Sequence, residues 1–325
     1  ILATARAFNQ QGGKLISQGQ LSLTADTIDN SLDGYIASVN AMGLTAHQQL
    51  INTGKGIIST QQGLTINGGA VDNTTGSLLS QSGITATLGA GLNNQDGSVI
   101  TQTDNLTIEA HNVDNRGGVL ASVAGKLKAT AATVLDNGKS LSAADEAGLI
   151  QAQSINLGAQ QSLLNNGGQI AALSGDTQIT STILDNQNGA LLAKQALNVR
   201  ATHLNNSQGR AAAEAIDFGL TGELNNQSGL VEGTSALLID AASINNQNGK
   251  LRSLGQQGTA SVASAQLLDN QSGMIEAANH DVSLRMASFK NTDGNVRHVG
   301  TGTFAVDLAK FSNIGGSVAT AGTLT

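Results

Sequence analysis

Apolar and polar positions recur along the whole chain in one order: apolar, Asp or Asn, Asn, two residues, Gly, any residue, apolar. Examples are VDNTTGSL around Asn73, LNNQSGLV around Asn226 and LDNQSGMI around Asn270. The second polar position is held by Gln10, Asn30, Asn52, Asn73, Asn94, Asn115, Asn137, Asn166, Asn186, Asn206, Asn226, Asn246, Asn270, Asn291 and Asn313. In the LLNNGG rung Asn165 fits the pattern as well as Asn166 does. Most successive spacings are 20–22 residues. Two further columns keep the register. Two residues before the Asn every side chain is apolar, from Phe8 and Ile28 through Leu164 to Phe289 and Phe311. Two residues after the Gly only Ala211 is small.

Between one Gly and the next Asn the chain alternates, as in Leu106-x-Ile108-x-Ala110 and Leu237-x-Ile239-x-Ala241. Period-two alternation means a strand with one buried face. Each repeat therefore predicts two or three short strands separated by turns. A unit this short cannot bury its own apolar face and must stack on copies of itself. The expected fold is all-β: a right-handed parallel β-helix of about fifteen coils of 20–22 residues, one array over residues 1–325. Coils about 4.8 Å apart give a rod roughly 70 Å long. Helix-pair repeats need 34 or more residues, and the dense Leu consensus of leucine-rich repeats is missing.

The corner residues suit this fold. Asn tolerates left-handed backbone and bonds local backbone. Repeated at one corner, its amides can also bond one another, as stacked Asn does in cross-β ladders. The motif Gly is expected to supply a positive φ. Two places break the period. Residues 138–147 are surplus and predict a lateral loop, with Lys139, Asp145 and Glu146 as candidate partner contacts. A smaller surplus lies within Leu254 to Gln266. Both ends, Ile1 to Phe8 and Leu324-Thr325, fall inside the pattern, which leads us to expect a segment of a longer filament.

Composition narrows the function. The chain has 325 residues, 12% charged and 2% aromatic, with forty Gly and no Pro, Cys or Trp. Pro would remove a donor from an interior ladder, so its absence fits. Without Cys there is no disulfide framework and no Cys-zinc site. A net charge of -7 without basic runs offers little to nucleic-acid phosphates, and no nucleic-acid partner is expected. No apolar run approaches the roughly 18 residues of a membrane span. Scarce rings leave no stacking platform for bases.

No catalytic constellation emerges. His47, His111 and His203 sit in different columns of remote coils, and surface positions are expected for these and for His280 and His298. The position before the motif Asn carries Asp29, Asp72, Asp114, Asp136, Asp185 and Asp269. Asp114 and Asp136 fall on adjacent coils, where like charges about 5 Å apart could bind a cation or raise one pKa. Asp used interchangeably with Asn on a solvated corner is the simpler reading, and no catalytic, metal or cofactor residue is assigned.

The L-[DN]-N-x-x-G-x-[LIV] rungs, such as Leu184 to Leu191 and Ile244 to Leu251, resemble the haemagglutinin repeats of two-partner-secretion exoproteins. These include filamentous haemagglutinin adhesins and contact-dependent growth-inhibition effectors of Gram-negative bacteria. The resemblance covers essentially the whole chain. It implies export through a dedicated outer-membrane barrel partner, engaged by an amino-terminal domain missing from this sequence. It also implies a secreted, cell-surface stalk with host or neighbouring bacterial cells as contacts. Neither the NPNG- and NPNL-type motifs of a secretion domain nor a VENN-type toxin motif is present. The expected function is a non-enzymatic structural stalk. The alternative is a polysaccharide-acting β-helix enzyme of pectin-lyase-like type.

Overall fold

The computed structural model describes residues 2–143 and 145–325, with side chains from Arg6 onward. Ile1, and Ala144 within the expected loop, lie outside the described residues. The protein is all-β. Parallel strands wind into a β-solenoid, and no helix occurs among the described residues. The chain divides into two compact units. The first runs to Leu164 and adds Gly168–Leu173; the second holds Asn165–Gly167 and Ser174–Thr325.

In the first unit a turn contains three strand segments. Ser77–Ser80, Ile84–Leu88 and Gly91–Asn93 form one such turn. Each segment stacks on its counterparts before and after. Ile58, Leu78 and Val99 align in the first segment. Leu64, Ile84 and Leu106 align in the second. Val71, Leu92 and Val113 align in the third. All nine are buried, so three apolar columns enclose the core. Identical spacing in sequence makes this possible, because a parallel ladder places residue i of one turn over its equivalent in the next.

The second unit repeats the plan. Ala211, Val231, Leu251, Ile275 and Val296 form its first column. Ile216, Leu237, Ala260, Val282 and Phe304 form its second. Leu204, Leu224, Ile244, Leu268, Phe289 and Phe311 form its third. Phe311, the last member of that column, is the least covered. It stacks on Phe289 with ring centroids 5.4 Å apart, yet is 50% exposed.

Two sequence expectations are corrected. In the LLNNGG rung the buried pair is Leu163 and Asn165, while Asn166 is exposed and Leu164 only half-buried. Leu135 pairs with Leu163, which sets the register one residue earlier than the alignment through Leu164 and Asn166. The motif Gly does not supply the positive φ. The residue before it does: Asp33, Lys55, Thr75, Asp96, Gly117, Asn188, Gln208, Ser228, Asn248, Ser272, Asp293 and Gly315 all have φ between 52° and 67°. The motif Gly is required for closeness instead. A Cβ on Gly229 would lie 2.2 Å from the Asn206 carbonyl oxygen and 2.6 Å from Asn226 Oδ1.

Candidate functional site

The chemistry concentrates at the corner where each turn closes. In the first unit Asn30 Nδ2 donates to Asn52 Oδ1 at 2.8 Å, and Asn52 donates to Asn73 at 2.7 Å. Asn73, Asn94 and Asn115 continue the chain of bonds to Asn137, each at 2.7 Å. In the second unit the same bond links Asn165, Asn186, Asn206, Asn226, Asn246, Asn270, Asn291 and Asn313 in order, at 2.7–2.8 Å. These side chains are 0% exposed except Asn313, which is half-buried. Most of these Nδ2 atoms also reach carbonyls on their own and the following turn, as Asn226 does to Gly229 at 3.3 Å and Lys250 at 3.2 Å. A primary amide has two donors and an acceptor, so it serves both neighbours at once. Asn30 Oδ1 is the exception: it is buried with no hydrogen-bond partner among the described residues. The preceding turn holds Gln10 at this position.

The position before the ladder Asn works differently. Its Oδ1 accepts the backbone N–H two residues on, an Asx turn. Asp72 accepts from Thr74 at 3.1 Å, Asn93 from Gln95 at 3.2 Å and Asn225 from Gln227 at 3.2 Å. Only an acceptor oxygen is needed, which explains why Asp and Asn alternate there. Asp114 and Asp136 are neighbours in this column. Arg116 lies against both: Nε is 2.9 Å from Asp114 Oδ1, Nη2 is 2.5 Å from Asp114 Oδ2, and Nε is 3.6 Å from Asp136 Oδ2. The place of the suspected cation is thus taken by a guanidinium. Burial raises the Asp136 carboxyl above the usual carboxylate range, against the lowering by the Gly138 N–H and Arg116.

A second charged column crosses the first-strand face of the second unit. Glu232, Arg252, Glu276 and Arg297 are stacked in register and alternate in sign. Arg252 lies 2.8 Å from Glu232 and 3.2 Å from Glu276. On the second-strand face Arg200 pairs with Asp217 at 2.7 Å and lies across Gly219. Nothing in the repeat motif signals these columns; a search for opposite charges one period apart would find them.

The described residues of the 138–147 stretch are tied to one another and to Asp96. Lys139 and Ala147 form an antiparallel bridge, Ser140 N donates to the Glu146 carbonyl at 2.8 Å, and Ser142 Oγ donates to Asp96 Oδ2 at 2.5 Å. Lys139, Asp145 and Glu146 are exposed, and Leu141 is 73% exposed. The second surplus is the 254–259 segment, whose Gln257 carbonyl accepts Asn279 Nδ2 at 3.1 Å. His47, His111, His203 and His280 are exposed and His298 is not, against expectation. At 2% exposure His298 binds the Asn279 carbonyl through Nε2 and Thr320 Oγ1 through Nδ1, both at 2.9 Å, and rests on Phe304. Among the described residues no three His, Asp or Glu side chains group to hold a metal ion, and no helix is long and apolar enough to cross a membrane.

The repeat profile of the haemagglutinin-repeat family matches seven times, over residues 2–55, 44–97, 84–126, 122–172, 162–217, 210–272 and 277–325. A tRNA nuclease CdiA-2 from Burkholderia pseudomallei (strain 1026b) is 38% identical over 222 residues. That match covers 66% of this chain and 7% of the relative. No solved structure matches. Turn geometry and repeat profile agree along the chain, which belongs to the haemagglutinin-repeat family.

Proposed function

We propose that this chain is a stalk segment of a filamentous two-partner-secretion exoprotein, either an adhesin or a growth-inhibition effector. The observation that supports the reading best is the repeated use of corner side chains for stacking within each unit. Ladder Asn and motif Gly are spent on neighbouring turns and the Asx caps on closing their own, which suits a spacer rather than a reaction centre. The relative named as a tRNA nuclease shares only repeats with this chain, so nuclease activity is not carried over. Display at the bacterial surface, an outer-membrane transporter partner and contacts with other cells follow from the family resemblance. The 138–147 loop, with exposed Lys139, Asp145 and Glu146, is the proposed lateral contact.

A rigid spacer makes one physical demand: the turns must form a single straight array. Small-angle scattering on the purified chain is expected to give a rod roughly 70 Å long, about fifteen spacings of 4.8 Å. A compact particle, or one hinged at its middle, overturns the spacer reading. A pectin-lyase-like enzyme would instead release oligosaccharides in a manner abolished by Asp114→Ala.

A further inference from the structure

Of the ladder asparagines Asn137 alone is followed by glycine. An Asn-Gly pair in an unrestrained chain is prone to intramolecular attack, because glycine has no side chain to hinder its own nitrogen. The fold holds this pair away from that reaction. Gly138 N–H donates to Asp136 Oδ1 at 2.9 Å, so the nucleophile is engaged elsewhere and faces a carboxylate that disfavours its deprotonation. The electrophile is held at both ends. Asn137 Oδ1 accepts from Asn115 Nδ2 at 2.7 Å, and Asn137 Nδ2 donates to the carbonyls of Gly148 and Gln169, each at 3.1 Å. The side chain is 0% exposed.

We propose that Asn137-Gly138 is a deamidation site of the unfolded chain, closed by folding, whose product can no longer complete the ladder. The Gly138 nitrogen attacks Asn137 Cγ and loses its proton. The Cγ–Nδ2 bond breaks and ammonia leaves with that proton. Water then opens the cyclic imide at either carbonyl, leaving aspartate or isoaspartate. No oxidant or cofactor is required. In the aspartate product one carboxylate oxygen can still accept from Asn115. The other takes the place of a donor and meets the carbonyl oxygens of Gly148 and Gln169 with no hydrogen between them. The isoaspartate product adds an atom to the backbone at a position set by register. Either form marks molecules that stayed unfolded too long.

Other Asn-Gly pairs serve as internal comparisons. Asn188-Gly189 and Asn248-Gly249 lie at the exposed corner, with each Gly N–H donating at 3.0 Å to the ladder carbonyl of Asn186 or Asn246. Their side chains are exposed, so their aspartate products leave the ladder amides untouched.

The test is peptide mass spectrometry, with isoaspartate detection, after incubating the full chain at mildly alkaline pH either folded or unfolded in guanidinium. Conversion at Asn137 is expected to be at least about tenfold slower in the folded chain, the factor set by about 1.4 kcal/mol of opening free energy. Equal rates, or no conversion in the unfolded chain, overturn the proposal. A Gly138→Ala chain, incubated unfolded, is expected to convert more slowly; an unchanged rate overturns the assignment of Gly138 as nucleophile. Refolding the aged sample and isolating its folded fraction tests the consequence. Converted Asn137 should be depleted there while the aspartate forms of Asn188 and Asn248 are retained. Converted Asn137 at its full share in the folded fraction overturns the ladder argument.

Discussion

Each residue type at the closing corner answers to one neighbour distance. The ladder position needs a side chain that donates and accepts at once in a buried place, which leaves a primary amide of asparagine length. Position 10 tests the length requirement. Its backbone copies the ladder turns: Gln10 N donates to the Asp29 carbonyl at 2.7 Å, as Asn30 N does to Ile51. Its longer side chain leaves Asn30 Oδ1 without a partner among the described residues. Gln10→Asn is therefore expected to stabilise the first turns by about 1 kcal/mol, one buried hydrogen bond gained. Urea unfolding measures it, and an unchanged or lower midpoint would sink the length argument. The repeat motif carries the corner Asn, but not which of two adjacent asparagines takes the buried place. Leu163-Leu164-Asn165-Asn166 offers the same local pattern in two registers, and only the stacked neighbour Leu135 decides. The role of the motif glycine is hidden from the sequence for a similar reason. Positive φ is a local property, whereas the 2.2 Å approach to the Asn206 carbonyl exists only between turns.

At the scale of the element, in-register stacking brings every side chain against its own equivalent. Outward charges must then be alternated or separated. The Glu232, Arg252, Glu276 and Arg297 column alternates. The Asp114–Asp136 pair is separated by Arg116. Neither arrangement leaves a mark inside a single repeat, so reading the motif could not supply it. His298 is equally invisible, because its partners lie on the preceding and following turns. Asp136 gives a pH test of the pair. Burial raises its pKa in the folded state, so the folded chain binds this proton more readily than the unfolded chain. The ionised carboxylate consequently opposes folding above the folded pKa, and the opposition is relieved as pH falls through it. Asp136→Asn keeps the acceptor for Gly138 and removes the charge. The variant should be more stable than the parent at pH 7, by no more than about 1 kcal/mol for a partly exposed pair. Its advantage should vanish toward pH 3. Thermal melts across that range check the sign, and an advantage that grows on acidification contradicts it.

At the scale of the molecule, the repeats within each unit are coupled neighbours, so stability is carried from turn to turn rather than by one central core. The rung motif and the alternating segments make the solenoid legible in the sequence. The division of labour between two adjacent corner residues is not, since Asp and Asn occur together at one of them and Asn dominates the other. Asn225 and Asn226 separate the two roles within one turn. Asn226 is buried and donates to Asn246 at 2.7 Å; Asn225 lends its Oδ1 to the Gln227 N–H at 3.2 Å, as Asp72 and Asp185 do for the residues two ahead of them. The same chemical change therefore has opposite weight at the two sites. Asn226→Asp places an unpaired charge in the ladder and should cost about 3–5 kcal/mol. Asn225→Asp keeps the acceptor and should cost no more than about 1 kcal/mol. Comparing the two denaturation midpoints is the most direct test of the ladder account. It predicts a parent-like Asn225→Asp chain beside a strongly destabilised Asn226→Asp chain, and two variants unfolding together would contradict it.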